Sequence, residues 1–275
     1  MPSAAEFRVI KGWRMGANKV IAACALALSS TFSSGTAGYA NWSNGILYIG
    51  QDTLFTVPEL NYSFHGCKMF VDDKYVLMTA GNISALYYDK SRHRVAPTPD
   101  YFANEANEIL KSPGNSDIVN AKLIEAAKNA FYQTMLRSKP KDRQQLFTNR
   151  NFAGTLFWFE GPKPMVRSFF VVPTFHDDSL SFSVQNRHPR EIKRPWLAGD
   201  HTQHKAIDDE AFFKFLTEIS NPLDGTNAIL SKEFHLSKES VAPPFTIFRL
   251  SPTGGSSWVG DAAICADHSH LTPNH

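Results

Sequence analysis

The sequence predicts a layered α+β fold, and three observations carry that expectation. Runs of β-type residues and runs of helical periodicity come in separate blocks, in the order strands, helices, strands, helices, strands. That is neither a regular βαβ alternation nor an all-β pattern, and separate blocks point to helices laid against sheets. Of the 275 residues, 43% are hydrophobic and 20% charged, a globular balance that can bury a sizeable core. The 21 Phe suit packed sheets.

The N-terminus reads as an export signal. Met15-Gly-Ala-Asn-Lys19 is a short basic start, Val20 to Leu28 is an uncharged apolar run, and small residues follow from Ser29 to Ala40. That is the n, h and c layout of a secretory segment, too short to span a bilayer as a helix. Residues 1–40 are therefore set apart from the fold, with cleavage between 35/36 and 40/41, and the mature protein is expected to be secreted or periplasmic. No later segment is apolar enough to cross a membrane.

Residues 44–58 open on a turn and continue as a β-type run, and residues 67–81 read as two strands around Asp72-Asp73. Helical spacing covers 100–112 and, more regularly, 116–138. There Ser116 or Asp117 can cap, and Ile118, Leu123, Ala126, Ala130 and Met135 fall near one face. Lys139-Pro-Lys-Asp-Arg143 reads as a solvated linker. Phe152–Glu160 and Met165–Pro173 form a strand pair across Gly161–Pro164, and Ser179–Val184 is a short strand. Residues 187–196 look like a basic loop. Helices are expected over His204–Ile219 and Thr226–Glu239, then a hairpin of Phe245–Leu250 and Ser256–Gly260, with a polar tail over 263–275.

Charge and motifs exclude several classes. Beyond residue 40 the chain carries 24 basic and 25 acidic side chains, a net −1, so it has no electrostatic footprint for nucleic acid. P-loop and dinucleotide glycine motifs are absent, as is the G-x-S-x-G elbow of an α/β-hydrolase, and no cofactor is expected. His201 and His204, with Asp200, Asp208 and Asp209 nearby, read as a solvated helix face, since their spacing is not diagnostic of a metal site. Of the three cysteines, Cys24 lies in the export segment. Cys67 and Cys265 can pair in an oxidising compartment or remain as two buried thiols.

The run NGILYIGQD at 44–52, followed by CKMFVDDKYVLMTAG at 67–81, resembles the N-terminal part of the proteasome-type N-terminal-nucleophile hydrolases. That family opens with a Thr, then a strand, a turn and a strand ending in Asp; a Lys and a small Gly-containing loop come later. Here Asp52 stands sixteen residues after Thr36 and Lys68 thirty-two after it, the family's own spacings, and Gly35 precedes Thr36. Phe152–Pro173 is similar to the family's central hairpin. Ala198-Gly-Asp-His201 sits where a Gly-rich turn precedes the third helix, and 241–250 with Ser256-Ser-Trp-Val259 resembles the closing strands. The resemblance covers residues 36–262 and implies one domain, a four-layer αββα sandwich with two antiparallel sheets between helix layers. Three features depart from it. Residues 37–43 are poor in β-branched side chains, Asp200 and His201 replace a Ser-Gly pattern, and Lys238-Glu239-Ser240 stands where the family has a supporting Asp and Ser.

The resemblance also assigns roles. An N-terminal Thr36 supplies a hydroxyl nucleophile and a free α-amine as base. Lys68 holds that amine neutral, Asp52 holds Lys68, and the Gly81 amide stabilises the oxyanion. All of this needs cleavage after Gly35, which Ser33 and Gly35 at −3 and −1 permit. Cuts after Ala37 or Ala40 are equally permitted and discard Thr36. The expectation is thus an exported hydrolase acting on a peptide or small amide. The alternatives are a non-catalytic secreted module that keeps the fold and an unrelated α+β binding protein. The sequence sets no expectation for oligomeric state.

Overall fold

The computed structural model describes residues 37–57, 62–81, 86–89, 94–97, 101–148, 150–193, 196–199, 221–236, 242–260 and 262–266. It is α+β, with two antiparallel sheets and few helices. The strands are β1 (Ala37–Ser43), β2 (Ile46–Asp52), β3 (Leu54–Val57), β4 (Tyr62–His65), β5 (Met69–Val71), β6 (Val76–Gly81), β7 (Leu86–Asp89) and β8 (Arg94–Pro97). Three helices follow, α1 (Tyr101–Lys111), α2 (Ser116–Arg137) and α3 (Pro140–Phe147). Then come β9 (Phe152–Glu160), β10 (Lys163–His176), β11 (Ser179–Asn186), β12 (Arg190–Glu191) and β13 (Trp196–Gly199). The described chain closes with α4 (Pro222–Leu236), β14 (Phe245–Leu250), β15 (Ser257–Val259) and α5 (Ala263–Ala266).

The first sheet has the order β13-β1-β2-β14-β15, and the second β11-β10-β9-β6-β5 with β12 also paired to β10. β3–β4 and β7–β8 form separate ribbons. Tight turns set the registers. Asn44 and Gly45 take φ of 52° and 76° between β1 and β2, the left-handed pair that a two-residue hairpin needs. Asp177 and Asp178, at 47° and 56°, do the same between β10 and β11.

Alternation divides each sheet into two faces. Ala40, Ile49 and Phe248 stand opposite one another across β1, β2 and β14. With Leu47 and Leu250 they join Met69, Val76, Met78, Phe157 and Val166 of the second sheet in one buried apolar cluster. On the reverse face of the first sheet, Tyr39, Gly50 and Ile247 are in register. Helix α4 lies against them so closely that a Cβ on Gly50 would stand 2.6 Å from Thr226 Cγ2 and 2.8 Å from Leu230 Cδ1. The reverse face of the second sheet, with Phe70, Leu77, Leu156 and Phe169, meets Phe102 of α1, Leu123 and Ala127 of α2 and Phe147 of α3 in a second cluster.

Several expected boundaries are corrected. Asn115, not Ser116 or Asp117, caps α2, its side chain accepting from the Ile118 amide at 3.0 Å. Ile118 is 48% exposed, while Leu123, Ala126, Ala130 and Met135 are buried as expected. The linker at 139–143 is the start of α3, with Pro140 at the helical position where its missing N–H costs nothing. The supposed loop 187–196 contains β12 and the start of β13. Helix α4 begins at Pro222 and carries Gly225 inside it. The tail starts later than residue 263, since α5 buries Cys265. The helix expected over 204–219 and the residues Asp200, His201 and His204 lie outside the described residues, as does Thr36. Among the described residues no helix is long and apolar enough to cross a membrane.

Candidate functional site

Asp52 closes β2 beside Phe245 of β14, with no exposed surface. Lys68 lies between β4 and β5 and is 3% exposed. The pair spans the two sheets, Lys68 Nζ donating to Asp52 Oδ2 at 2.8 Å. The same oxygen accepts the Leu54 amide at 3.1 Å, so the carboxylate also fixes the corner from β2 to β3. Burial pushes the Lys68 ammonium below its ordinary pKa, and the charge and hydrogen bond of Asp52 oppose that fall.

Thr79 of β6 ties this pair to the third expected residue. Its amide and hydroxyl both donate to the Lys68 carbonyl, at 2.9 and 2.7 Å, while its own carbonyl accepts Gln51 Nε2 at 2.6 Å. Two residues on, Gly81 ends β6 at φ +93°. A Cβ there would run into the Asn151 carbonyl and lie 2.8 Å from Asn151 Oδ1, so both the backbone angle and the close approach demand glycine.

Cys67, next to Lys68, is disulfide-bonded to Cys265 of α5, closing a loop across a sequence separation of 198. Of the two states left open by the sequence, the paired one is observed. Of the four expected site residues, Asp52 and Lys68 are in direct contact, and Gly81 is joined to them through Thr79. Thr36 lies outside the described residues, and its neighbour Ala37 opens β1.

The sequence reading missed the supporting polar groups. Gln51 is 1% exposed, and no pattern in the sequence separates it from an ordinary edge residue of a β run. Buried Thr53 donates its hydroxyl proton to the Pro244 carbonyl at 2.8 Å, so His65 Nδ1, 2.9 Å away, must be the donor to Thr53 Oγ1. That contact fixes the His65 tautomer beside the Asp52 corner. Among the described residues no group of three His, Cys, Asp or Glu side chains could hold a metal ion. No protein-family model matches the chain, and no curated protein matches it.

Proposed function

We propose that the chain is an exported proteasome-like protein of the N-terminal-nucleophile hydrolase fold. In this reading Thr36 is the nucleophile of a peptide- or amide-bond hydrolase. The observation that carries the reading is the fully buried Asp52–Lys68 ion pair at the end of β2. The antiparallel register that sets Gly38 opposite Gln51, continued by one residue, brings Ala37 beside Asp52, and Thr36 is the residue before it. The four-layer αββα arrangement is supported by the apolar cluster shared between the sheets, by α4 against the first sheet and by α1 and α2 against the second.

The position of β1 disfavours one of the permitted cuts. A cut after Gly35 leaves Ala37–Ser43 whole, whereas a cut after Ala40 removes Tyr39 and Ala40, both buried and both paired to β2 and β13. With the chain starting at Thr36, the α-amine takes the hydroxyl proton and the oxygen attacks the substrate carbonyl. The substrate's amine departs with that proton, passed on from the α-amine; water, giving a proton to the α-amine, then cleaves the acyl ester and the Thr36 hydroxyl is restored. Lys68 disfavours a second positive charge and keeps the amine a base; Asp52 anchors Lys68. The Gly81 amide stabilises the oxyanion, an effect of about 3 kcal/mol per donor. The disulfide agrees with a secreted or periplasmic location.

The test is the first residue of the mature secreted protein, by intact mass, together with labelling by an electrophilic amide-hydrolase probe. A start at Thr36 with labelling that disappears in Thr36→Ala is expected. A start beyond Thr36, or labelling unchanged in Thr36→Ala, overturns the hydrolase and leaves the non-catalytic module.

A further inference from the structure

The edge strand of the second sheet contains a β-bulge. Along β11 the register pairs Phe169 with Asn186, and the Arg187 amide continues it by donating to the Ser168 carbonyl at 2.9 Å. At β12 the register has moved by one, with Val166 opposite Arg190 and Met165 opposite Glu191. Two residues, His188 and Pro189, therefore stand opposite Arg167 alone. Pro189 suits the position, because the extra residue of a bulge leaves the ladder and needs no N–H donor.

The extra residue decides where two positive charges point. Residues three apart on a regular strand project to opposite faces. Here Arg187 is opposite Ser168 and Arg190 is opposite Val166, and Ser168 and Val166 share a face of β10. The bulge thus sets both arginines on that one face. Arg187 confirms the direction by lying 5.5 Å over the ring of Phe170, the next residue on the same face. Glu191 follows Arg190 and projects to the other face.

Between these side chains is a cavity of about 190 Å³, lined by Val166, Arg167, Ser168, Arg187, His188 and Arg190. That is room for about six waters. Arg167 is already engaged, bonded to Asp117, to Asn186 Oδ1 at 3.0 Å and to the Arg187 carbonyl at 2.9 Å. Arg187 and Arg190 have no carboxylate partner among the described residues. They also disfavour each other. Partial burial and then the Arg187 charge push the Arg190 guanidinium below its ordinary pKa. Two uncompensated guanidinium groups on one face match a dianion, and their planar forks match tetrahedral oxygens; a monoanion would leave one charge unanswered.

We propose that this pocket binds a dianionic phosphate group between the Arg187 and Arg190 guanidinium groups, with the Ser168 and His188 side chains on its wall. The group is either free inorganic phosphate or the phosphate of a small phosphomonoester. Calorimetric titration of the mature protein at constant ionic strength, with inorganic phosphate and with glycerol phosphate, tests this. One-site saturable binding is expected, weakened at least about tenfold in R187Q and in R190Q by loss of a charge-assisted hydrogen bond. The exposed turn variant K74Q should bind as the native protein does. Tighter binding of inorganic phosphate assigns the free ion, and tighter binding of glycerol phosphate assigns the monoester. The absence of saturable binding by either anion, or binding that persists in the R187Q R190Q double variant, overturns the proposal.

Discussion

Replacing Asp52 by Asn should destabilise the protein far more than replacing Asp52 and Lys68 together. Both charges are out of water, with side-chain exposures of 0% and 3%, and they meet at 2.8 Å. At an effective dielectric constant of about 20 their attraction is roughly 6 kcal/mol. Desolvation offsets much of that, so the intact pair contributes little net stability. Breaking it is different, because Asp52→Asn leaves the buried Lys68 ammonium without the Asp52 charge, at about 3–5 kcal/mol. Lys68→Met leaves a carboxylate that keeps the Leu54 amide and should cost slightly less. Asp52→Asn with Lys68→Met buries two neutral groups of similar size and should lie within about 2 kcal/mol of the native protein. Urea denaturation of the secreted protein measures all three, provided the slopes agree. The Asp52→Asn deficit should also shrink as pH rises. Burial lowers the Lys68 pKa, and Asp52→Asn removes the Asp52 charge that opposes that fall. Between the folded and ordinary values the unfolded chain then binds the proton that the folded chain lacks, so stability increases with pH. Single-variant losses that simply add in the double variant would refute the argument, since they would mean that the two groups do not sense each other.

Three further outcomes are expected. Glu233 of α4 is 2% exposed, neither carboxyl oxygen has a hydrogen-bond partner among the described residues, and burial pushes it up to about 8. The unfolded chain ionises first, so native stability falls from about pH 4.5 to about pH 8, by at most about 5 kcal/mol; Glu233→Gln should flatten that slope in urea melts across pH, and parallel curves would contradict it. Replacing both Cys67 and Cys265 by Ala should lower stability by about 3–5 kcal/mol, because the bond closes a long loop; an unchanged urea midpoint would mean that the disulfide does not constrain the unfolded chain. Gly81→Ala should cost about 2–4 kcal/mol from the positive φ and the overlap with Asn151, and a thermal midpoint equal to the native one would show that the β6 end is not held as described.

The legible parts of the fold were those written in local chemistry. Asn44-Gly45 and Asp72-Asp73 sit between alternating runs, and both hairpins form there. Elements were missed where a residue has two uses. Pro140 and Pro222 read as breaks but stand at helix starts, and Gly225 read as a turn but lies inside α4. Polar β12 is a strand because β10 offers it an edge, not because its residues prefer one. At the candidate site, spacing brought out Asp52 and Lys68, and only the fold puts them in contact. Gln51, Thr79 and the bulge at His188-Pro189 were invisible, because each depends on which strand is the neighbour.

The position of the polar bonds explains why three residues distant in sequence form one unit. The facing sides of the two sheets meet through an apolar cluster, which resists separation but does not fix how one sheet slides over the other. Directional bonds do fix it. Gln51 and Asp52 are consecutive on the first sheet; one reaches the Thr79 carbonyl and the other Lys68. Thr79 in turn holds the Lys68 carbonyl through two donors. A slip of the sheets would break the Gln51 bond and the Asp52–Lys68 ion pair at once, at a site where lost polar bonds cannot be replaced by water. The disulfide beside Lys68 adds a covalent stop to the same segment. β1 pairs with β2 as far as Gly38 opposite Gln51, the residue before Asp52, so the first residues of that strand lie against a corner held by bonds that span both sheets rather than by a loop.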